Sequence, residues 1–130
     1  MKTIKEQYPT ISNEASILIV GVKPVIFELI KSGFQNILYL PLNRRWIIRL
    51  ISNVLRVLNK DNKVDLTLRS ALEYTKYNYV YIQKFDCLNT RVVMMEVNDI
   101  DIGFGRPEFG TDRDVSYFRI LMGKQICKAV

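Results

Sequence analysis

The fold is decided by a basic and apolar stretch in the first half of the chain, which reads NRRWIIRLISNVLRVLN at residues 43–59. Apolar side chains recur there every three or four positions, and this period is typical of an amphipathic helix. Asn43 stands before the first periodic residue, where its side chain can accept a hydrogen bond from the first turn. We therefore predict a helix that follows Asn43, extends to about Asn59 and carries its arginines on the face opposite the core.

Shorter elements are predicted before this helix. The apolar run at residues 17–22 indicates a short buried strand. Residues 25–31 indicate a helix, because Pro24 suits an early helical position and Gly33 suits a helix end. Residues 36–40 indicate a strand that Pro41 ends. The polar segment 1–13 is predicted to be a loose N-terminal tail.

After the central helix the pattern changes to that of strands, at residues 64–68, 77–82 and 91–97. Thr111 suits the N-cap of a short helix that reaches about Arg119, and residues 126–127 suit a last strand. We predict an α+β fold: N-terminal helices packed on short strands, then a mostly β C-terminal part with one short helix. The 130 residues contain no Pro/Gly-rich linker, so one compact domain is expected.

The composition favours a polyanionic partner. Lysine and arginine number 19 against 13 acidic residues, which gives a formal net charge of +6. Nucleic acid is the first polyanion that this balance suggests, and an anionic membrane surface is the second. The apolar run at residues 15–22 is far shorter than the roughly 20 residues that span a bilayer, so no membrane partner is predicted.

The sequence contains no histidine, which excludes imidazole bases, histidine zinc ligands and Ser-His or Cys-His dyads. Cys87 and Cys127 lie far apart. They can form a disulfide, but without a secretion signal two buried thiols are expected. The glycines of Gly103-Phe104-Gly105 lack the third glycine of a dinucleotide loop and indicate a tight turn. We predict a protein that is not an enzyme and that has no metal site and no cofactor.

Residues 29–60 contain six basic side chains and no acidic one. A solvated face usually mixes both signs, so a stretch of one sign indicates an external anion. A positive helix face without any partner would have the same sequence, and this alternative stays open. The candidate phosphate contacts of this stretch are Lys31, Arg44, Arg45, Arg49 and Arg56.

Tyrosines alternate at residues 77, 79 and 81, beside two lysines. If they are exposed, they can stack on RNA bases. If they are buried, they pack against neighbouring strands, and this alternative ranks first because no recognition motif accompanies them. Tyr79 and Tyr81 are the candidate base or sugar contacts.

The charge inverts between Glu96 and Asp114, where six acids stand against Arg106 and Arg113 and leave a net charge of −4. Such a patch suits a basic neighbouring protein better than phosphate. Asp99 and Asp101 alternate, which places both on one face of a strand. Two acids without further ligands are usually only solvated, so no metal is predicted there.

Several short motifs resemble those of the bacterial-type small-subunit ribosomal protein eight family, and they follow the order of that family over residues 25–127. The C-terminal motifs are TDRD at residues 111–114 and MGKQIC at residues 122–127. The earlier motifs are FELIKSG at 27–33, LP at 40–41, SNVLR at 52–56 and VDLTL at 64–68. The sequence departs from the family at residues 104–108, which replace its RNA-contacting Ser-Thr-Ser-Lys-Gly loop, and at Lys124, where an acidic residue is usual.

The resemblance implies a structural protein that binds the central domain of small-subunit ribosomal RNA, contacts neighbouring ribosomal proteins and supports assembly. The departures imply a highly diverged member, which suits an organellar (mitochondrial) ribosome, with a cytoplasmic location as the alternative. They also shift the expected RNA contacts to the basic helix and leave Arg106 as the candidate contact in the C-terminal loop.

Two other functions stay open. LRSALEY at residues 68–74 and DIGFGRP at residues 101–107 resemble the later part of plant and fungal acyl-CoA-dependent acyltransferases. Those enzymes need a catalytic histidine, so this resemblance implies a non-catalytic fragment or relative. The other alternative is a small viral or accessory protein that binds a partner protein through its acidic patch.

Overall fold

The computed structural model describes residues 3–53, 71–85 and 91–128. Within these residues the fold is α+β, as the sequence predicts, with helices, a five-stranded mixed sheet and a mostly β C-terminal part. The helices are α1 (Ile4–Gln7), α2 (Pro24–Lys31) and α3 (Arg44–Leu50), with a 3₁₀ helix at Pro107–Phe109. The strands are β1 (Ile17–Val22), β2 (Ile37–Pro41), β3 (Tyr79–Lys84), β4 (Val92–Phe104) and β5 (Ser116–Ile126).

The strands follow the order β1-β3-β4-β5-β2 across the sheet. Strand β1 pairs in parallel with β3, and Ile17 is aligned with Tyr79. Strand β3 pairs in antiparallel fashion with β4, and Tyr79 faces Glu96. The two edge positions therefore belong to β1 and β2.

The chain divides into two compact units, and each unit is built from separate segments of sequence. The first unit comprises Met1–Asn36, Tyr77–Asn98 and Leu121–Val130. The second unit comprises Ile37–Lys76 and Asp99–Ile120. The sequence-based expectation of one compact domain stays a prediction.

In the first unit, strand β1 and helix α2 lie where the sequence predicts them. Alternate residues of β1 are buried, from Leu18 through Val20 to Val22. Helix α2 begins with a proline at its first position, buries Phe27 and Ile30, and packs against β3. The chain leaves α2 through Gly33, whose φ of +87° is a conformation that glycine adopts without steric cost.

The N-terminal segment differs from the predicted loose tail. Thr3 caps α1, and its hydroxyl accepts a hydrogen bond from the backbone N–H of Glu6. Tyr8 and Ile11 are only 1 % and 5 % exposed and form an apolar cluster with Tyr81. Burial of these two side chains, with Ile4 packed against the same cluster, holds residues 3–11 on the sheet.

In the second unit, α3 begins as predicted but ends earlier. The Asn43 side chain accepts a hydrogen bond from the backbone N–H of Trp46 at 3.1 Å. The prediction of a helix that extends to about Asn59 is wrong at Ile51, which is extended and forms a bridge with Tyr74. The side chain of Asn53 bonds to the backbone of residues 71 and 73 and so supports a non-helical conformation. Residues 54–59 of the predicted helix and the predicted strand 64–68 lie outside the described residues.

The predicted helix from Thr111 to Arg119 is also wrong. The Thr111 hydroxyl bonds to the backbone N–H and C=O of Arg106, at 2.6 and 2.9 Å, and closes a turn instead of capping a helix. Strand β5 begins at Ser116, and its burial alternates with a period of two, which places Phe118 and Ile120 inside. The short helical element of this region is the 3₁₀ helix, which ends at Gly110 with a φ of +75°.

Candidate nucleic-acid interface

The seven residues of α3 divide sharply between core and solvent. Trp46, Ile47 and Leu50 are buried, at spacings that place them on one side of a helix. The arginines at positions 44, 45 and 49 are exposed. The helix contains no acidic residue, so every charge on its outer surface is positive, and the exposed Ile48 lies among these charges. The arginines at positions 44, 45 and 49 therefore lie on the solvent side of α3, whose seven residues make about two turns.

Trp46 organises two of these arginines. The guanidinium carbon of Arg45 lies 5.0 Å from the centroid of the indole ring, and that of Arg49 lies 5.5 Å from it. Such contacts are cation–π interactions, in which the flat face of the guanidinium meets the ring. A guanidinium carries its N–H donors in a planar fork, which fits phosphate oxygens two at a time. One indole ring thus contacts two positive groups of the same helix.

Two arginines elsewhere in the chain are paired with carboxylates. Arg91 pairs with Glu28 at 3.1 Å, and Arg119 binds Asp101 through two hydrogen bonds of 2.7 Å. Among the described residues, no carboxylate lies within ion-pair distance of Arg44 or Arg45. These two cations therefore stand together without a counter-charge from the described part of the chain.

The other residues predicted to contact RNA differ in how exposed they are. Lys31 is exposed in the last turn of α2, and Arg106 is exposed beside the 3₁₀ helix. Arg56 lies outside the described residues. Tyr81 is 7 % exposed and packs edge-to-face on Tyr8, with ring centroids 6.3 Å apart, so it cannot stack on a base. Tyr79 is half-buried at the margin of the same cluster, which favours the packing alternative for the tyrosine stripe.

Burial also shows in the ionisation of the tyrosines of this cluster. It raises the pKa of Tyr8, to which the neighbouring Tyr81 adds, and it raises the pKa of Tyr81 itself. Both phenols therefore stay protonated at pH values above the range in which a tyrosine ordinarily titrates, as expected of core side chains.

The second unit also contains an ordered group of side chains that the sequence did not reveal. The Arg119 guanidinium lies directly over Gly103, and hydrogen bonding to Asp101 is the main cause that raises the pKa of Arg119. Nearby, Tyr39 packs edge-to-face on Tyr117 at 6.0 Å, and burial raises the pKa of Tyr39. The only sequence signal is the alternation of Asp101 and Gly103, which does not name their partner on another strand.

The acidic region is less open than its composition suggests. Asp101 is occupied by Arg119, and the Glu96 carboxylate accepts a hydrogen bond from the backbone N–H of Lys124 at 3.1 Å. The Asp99 carboxylate accepts one from the backbone N–H of Ile100. Asp112 and the other acids of the 108–114 turn are exposed, and the role of this patch as a protein contact stays a prediction.

The possible metal ligands of the described part of the chain include one cysteine, Cys127. No group of three or more acidic, cysteine or histidine side chains suited to a metal ion occurs in residues 3–53, 71–85 and 91–128. The expectation of two buried thiols is wrong for Cys127, which is free and exposed just after β5 ends. Cys87 lies outside the described residues. In the same residues, no helix has the length and apolar character needed to cross a membrane.

Comparisons with protein-family models, with curated proteins and with solved structures give no match to this chain.

Proposed function

We propose that this chain is an RNA-binding structural protein, not an enzyme, and that it holds RNA phosphates with the arginines of α3. The observation that carries the proposal is the pair Arg44 and Arg45. Both are exposed on a helix without acids, and the described residues give neither of them a carboxylate, although Arg91 and Arg119 each have one. Adjacent like charges repel, so this arrangement is stabilised by an external anion.

The geometry suits phosphate in particular. Arg45 and Arg49 both lie within cation–π distance of one indole ring, which limits the rotamers of two long side chains before the ligand arrives. Pre-ordering lowers the conformational entropy lost on binding, about 0.5–1.5 kcal/mol for each such side chain. The net charge of +6 adds long-range attraction for a polyanion.

The more specific proposal is membership in a ribosomal small subunit, as a highly diverged relative of ribosomal protein eight in an organellar ribosome. It is supported by the ordered motif resemblance over residues 25–127. Its test is sedimentation of the tagged protein from mitochondrial and cytoplasmic extracts. Recovery with the mitochondrial small subunit supports it, and recovery only in ribosome-free fractions contradicts it.

RNA binding itself is tested by charge reversal on α3. Arg44→Glu/Arg45→Glu is compared with wild type by fluorescence anisotropy of a labelled RNA stem-loop at fixed salt. The matched control is Lys124→Glu/Lys128→Glu, which makes the same change of charge at two exposed positions of the first unit. We expect the α3 variant to lose at least tenfold in affinity and the control to lose clearly less.

Equal losses in the two variants would mean that only net charge matters, and this result would overturn the assignment of α3. Absence of wild-type binding would overturn RNA binding by this chain. Circular dichroism of both variants shows that each remains folded.

A further inference from the structure

Strand β1 lies at one edge of the sheet, and its hydrogen bonds reveal which residues face outward. The backbone N–H of Tyr79 donates to Ser16, and that of Phe85 donates to Val22. In a parallel pair, every second residue directs both its N–H and its C=O to the same neighbour. The even-numbered residues of β1 therefore bond to β3, whereas Ile17, Ile19 and Gly21 direct their backbone groups away from the sheet.

Among the described residues, this edge lacks the usual protection against pairing with another strand. The six residues ILIVGV include no charge and no proline, and no described strand pairs with the outer side of β1. Natural edge strands are commonly blocked by lysine, proline or a bulge. Ile19 is 46 % exposed in the centre of the edge, and Phe85 beside it is 66 % exposed. The edge therefore presents both unpaired backbone groups and apolar side chains.

We propose that β1 is a homodimer contact, in which two copies pair their β1 strands in antiparallel fashion about a two-fold axis at Ile19. The outward direction of the odd-numbered residues requires that odd residues face odd residues, and of these registers the one centred on Ile19 pairs the most residues of the strand. Ile19 lies opposite Ile19 of the second copy, and Ile17 lies opposite Gly21. Each sheet then continues into the other, and the outward backbone groups of both strands are satisfied.

The side chains fit this register. The Phe85 ring covers Gly21 so closely that a Cβ at that position would lie 2.0 Å from it. In the antiparallel pair, Ile17 of the second copy projects on the same side of the sheet and covers the exposed part of Phe85. The absence of a side chain at Gly21 thus leaves room for the aromatic ring that receives the neighbouring isoleucine.

The charges at the two ends of β1 favour an antiparallel second copy. Glu14 precedes β1 and Lys23 follows it, and both are exposed. An antiparallel copy brings the glutamate of one chain near the lysine of the other at both ends of the pair. A parallel copy would place like charges together. The strand is thus complementary to itself in one direction only.

The experiment measures the mass of the full chain by sedimentation equilibrium at about 150 mM salt, from about 1 to 300 µM, the range expected of a small interface. The proposal predicts a rise from one chain towards two with concentration. Ile19→Lys, which places two lysines opposite each other, abolishes the rise. Glu14→Lys weakens it, and Glu14→Lys/Lys23→Glu restores it.

A cross-link tests the register in a Cys87→Ser/Cys127→Ser background. Paired residues of this type have Cα atoms about 5.5 Å apart, within disulfide range. Ile19→Cys is therefore expected to form a covalent dimer on mild oxidation, and Val25→Cys, more exposed but outside the strand, to form far less.

A chain that stays monomeric at every concentration would overturn the proposal. A dimer insensitive to Ile19→Lys, or equal cross-linking at both cysteines, would assign the contact to another surface. Open-ended association would also contradict it, because the two-fold pair is closed. Ile19 is half-exposed, and a thermal melt of Ile19→Lys confirms that the variant is folded.

Discussion

The guanidinium of Arg45 lies 5.0 Å from the centre of the Trp46 ring, and this contact joins the core of the second unit to its most basic surface. Trp46 is 6 % exposed, so the ring is both a core residue and the platform for the arginine. Packing therefore determines where the positive charge lies. The RNA-binding proposal depends on this link between a buried indole and an exposed guanidinium.

Trp46 is the only tryptophan of the chain, which makes it a reporter of the candidate interface. Phosphate binding to Arg45 alters the cation–π contact, so we expect RNA to change the tryptophan emission with the same midpoint as the anisotropy titration. Arg44→Glu/Arg45→Glu should show no such change, and Lys124→Glu/Lys128→Glu should retain it. Wild-type emission that stays constant while RNA binds would place the RNA elsewhere.

The N-cap of α3 is predicted to contribute measurably to stability. Asn43→Ala removes the acceptor of the 3.1 Å bond from the Trp46 N–H and should lower the free energy of unfolding by about 1 kcal/mol. Asn43→Asp preserves an acceptor and should stay within a few tenths of a kcal/mol of wild type. Urea unfolding measures both. An alanine variant as stable as wild type would show that the cap does not hold the helix.

The sequence predicts well those helices and strands that begin at a capping residue or have a regular spacing of apolar residues. Pro24 and Asn43 mark the starts of α2 and α3. Both effects are local, because the proline fixes its own backbone angle and the asparagine accepts a hydrogen bond from a backbone N–H three residues later. The end of α3 was mispredicted because Ile51 continues the helical period while its backbone bonds to a distant strand-like segment at Tyr74. Pairing between residues far apart in the sequence overrides the helical spacing of apolar residues, and it cannot be read from a single sequence.

Gly103 and Arg119 are predicted to be energetically coupled. A Cβ at Gly103 would lie 2.4 Å from the guanidinium carbon, so Gly103→Ala displaces Arg119 from Asp101 and should cost about 1 kcal/mol. In an Arg119→Ala background the same change should be neutral or slightly stabilising, because glycine weakens a strand interior. Urea unfolding of the four variants gives the coupling energy. Identical effects in both backgrounds would contradict this contact.

The Tyr8–Tyr81 cluster predicts a loss of stability at alkaline pH. Burial raises the pKa of both phenols in the folded state, so the unfolded chain releases their protons first as the pH passes about 10. Unfolding then becomes more favourable with each rise in pH, and the stabilisation is complete only below that value. Tyr8→Phe/Tyr81→Phe should have a smaller fall in melting temperature between pH 8 and pH 10.5 than wild type. Equal falls would show that these phenols are accessible.

The sequence predicts which residues of the candidate site carry positive charge, but it predicts only in part which side chains are exposed. An acid-free run identifies Arg44 and Arg45 because a single-sign stretch is visible in the sequence itself. Burial of Tyr81 depends on Tyr8, which is far away in the sequence, so its exclusion as a base contact required the fold. The occupation of Asp101 by Arg119 likewise depends on strand pairing and not on local composition.

Binding of RNA phosphates by the α3 arginines is measured through the salt dependence of affinity. Each phosphate contact contributes a slope of about −0.7 to −0.9 to the logarithm of the association constant against the logarithm of salt concentration. Replacement by neutral residues, Arg44→Gln/Arg45→Gln, should make the wild-type slope shallower by about 1.4 to 1.8. A slope unchanged by this double substitution would contradict the account, because the two guanidiniums would then release no counterions from the RNA.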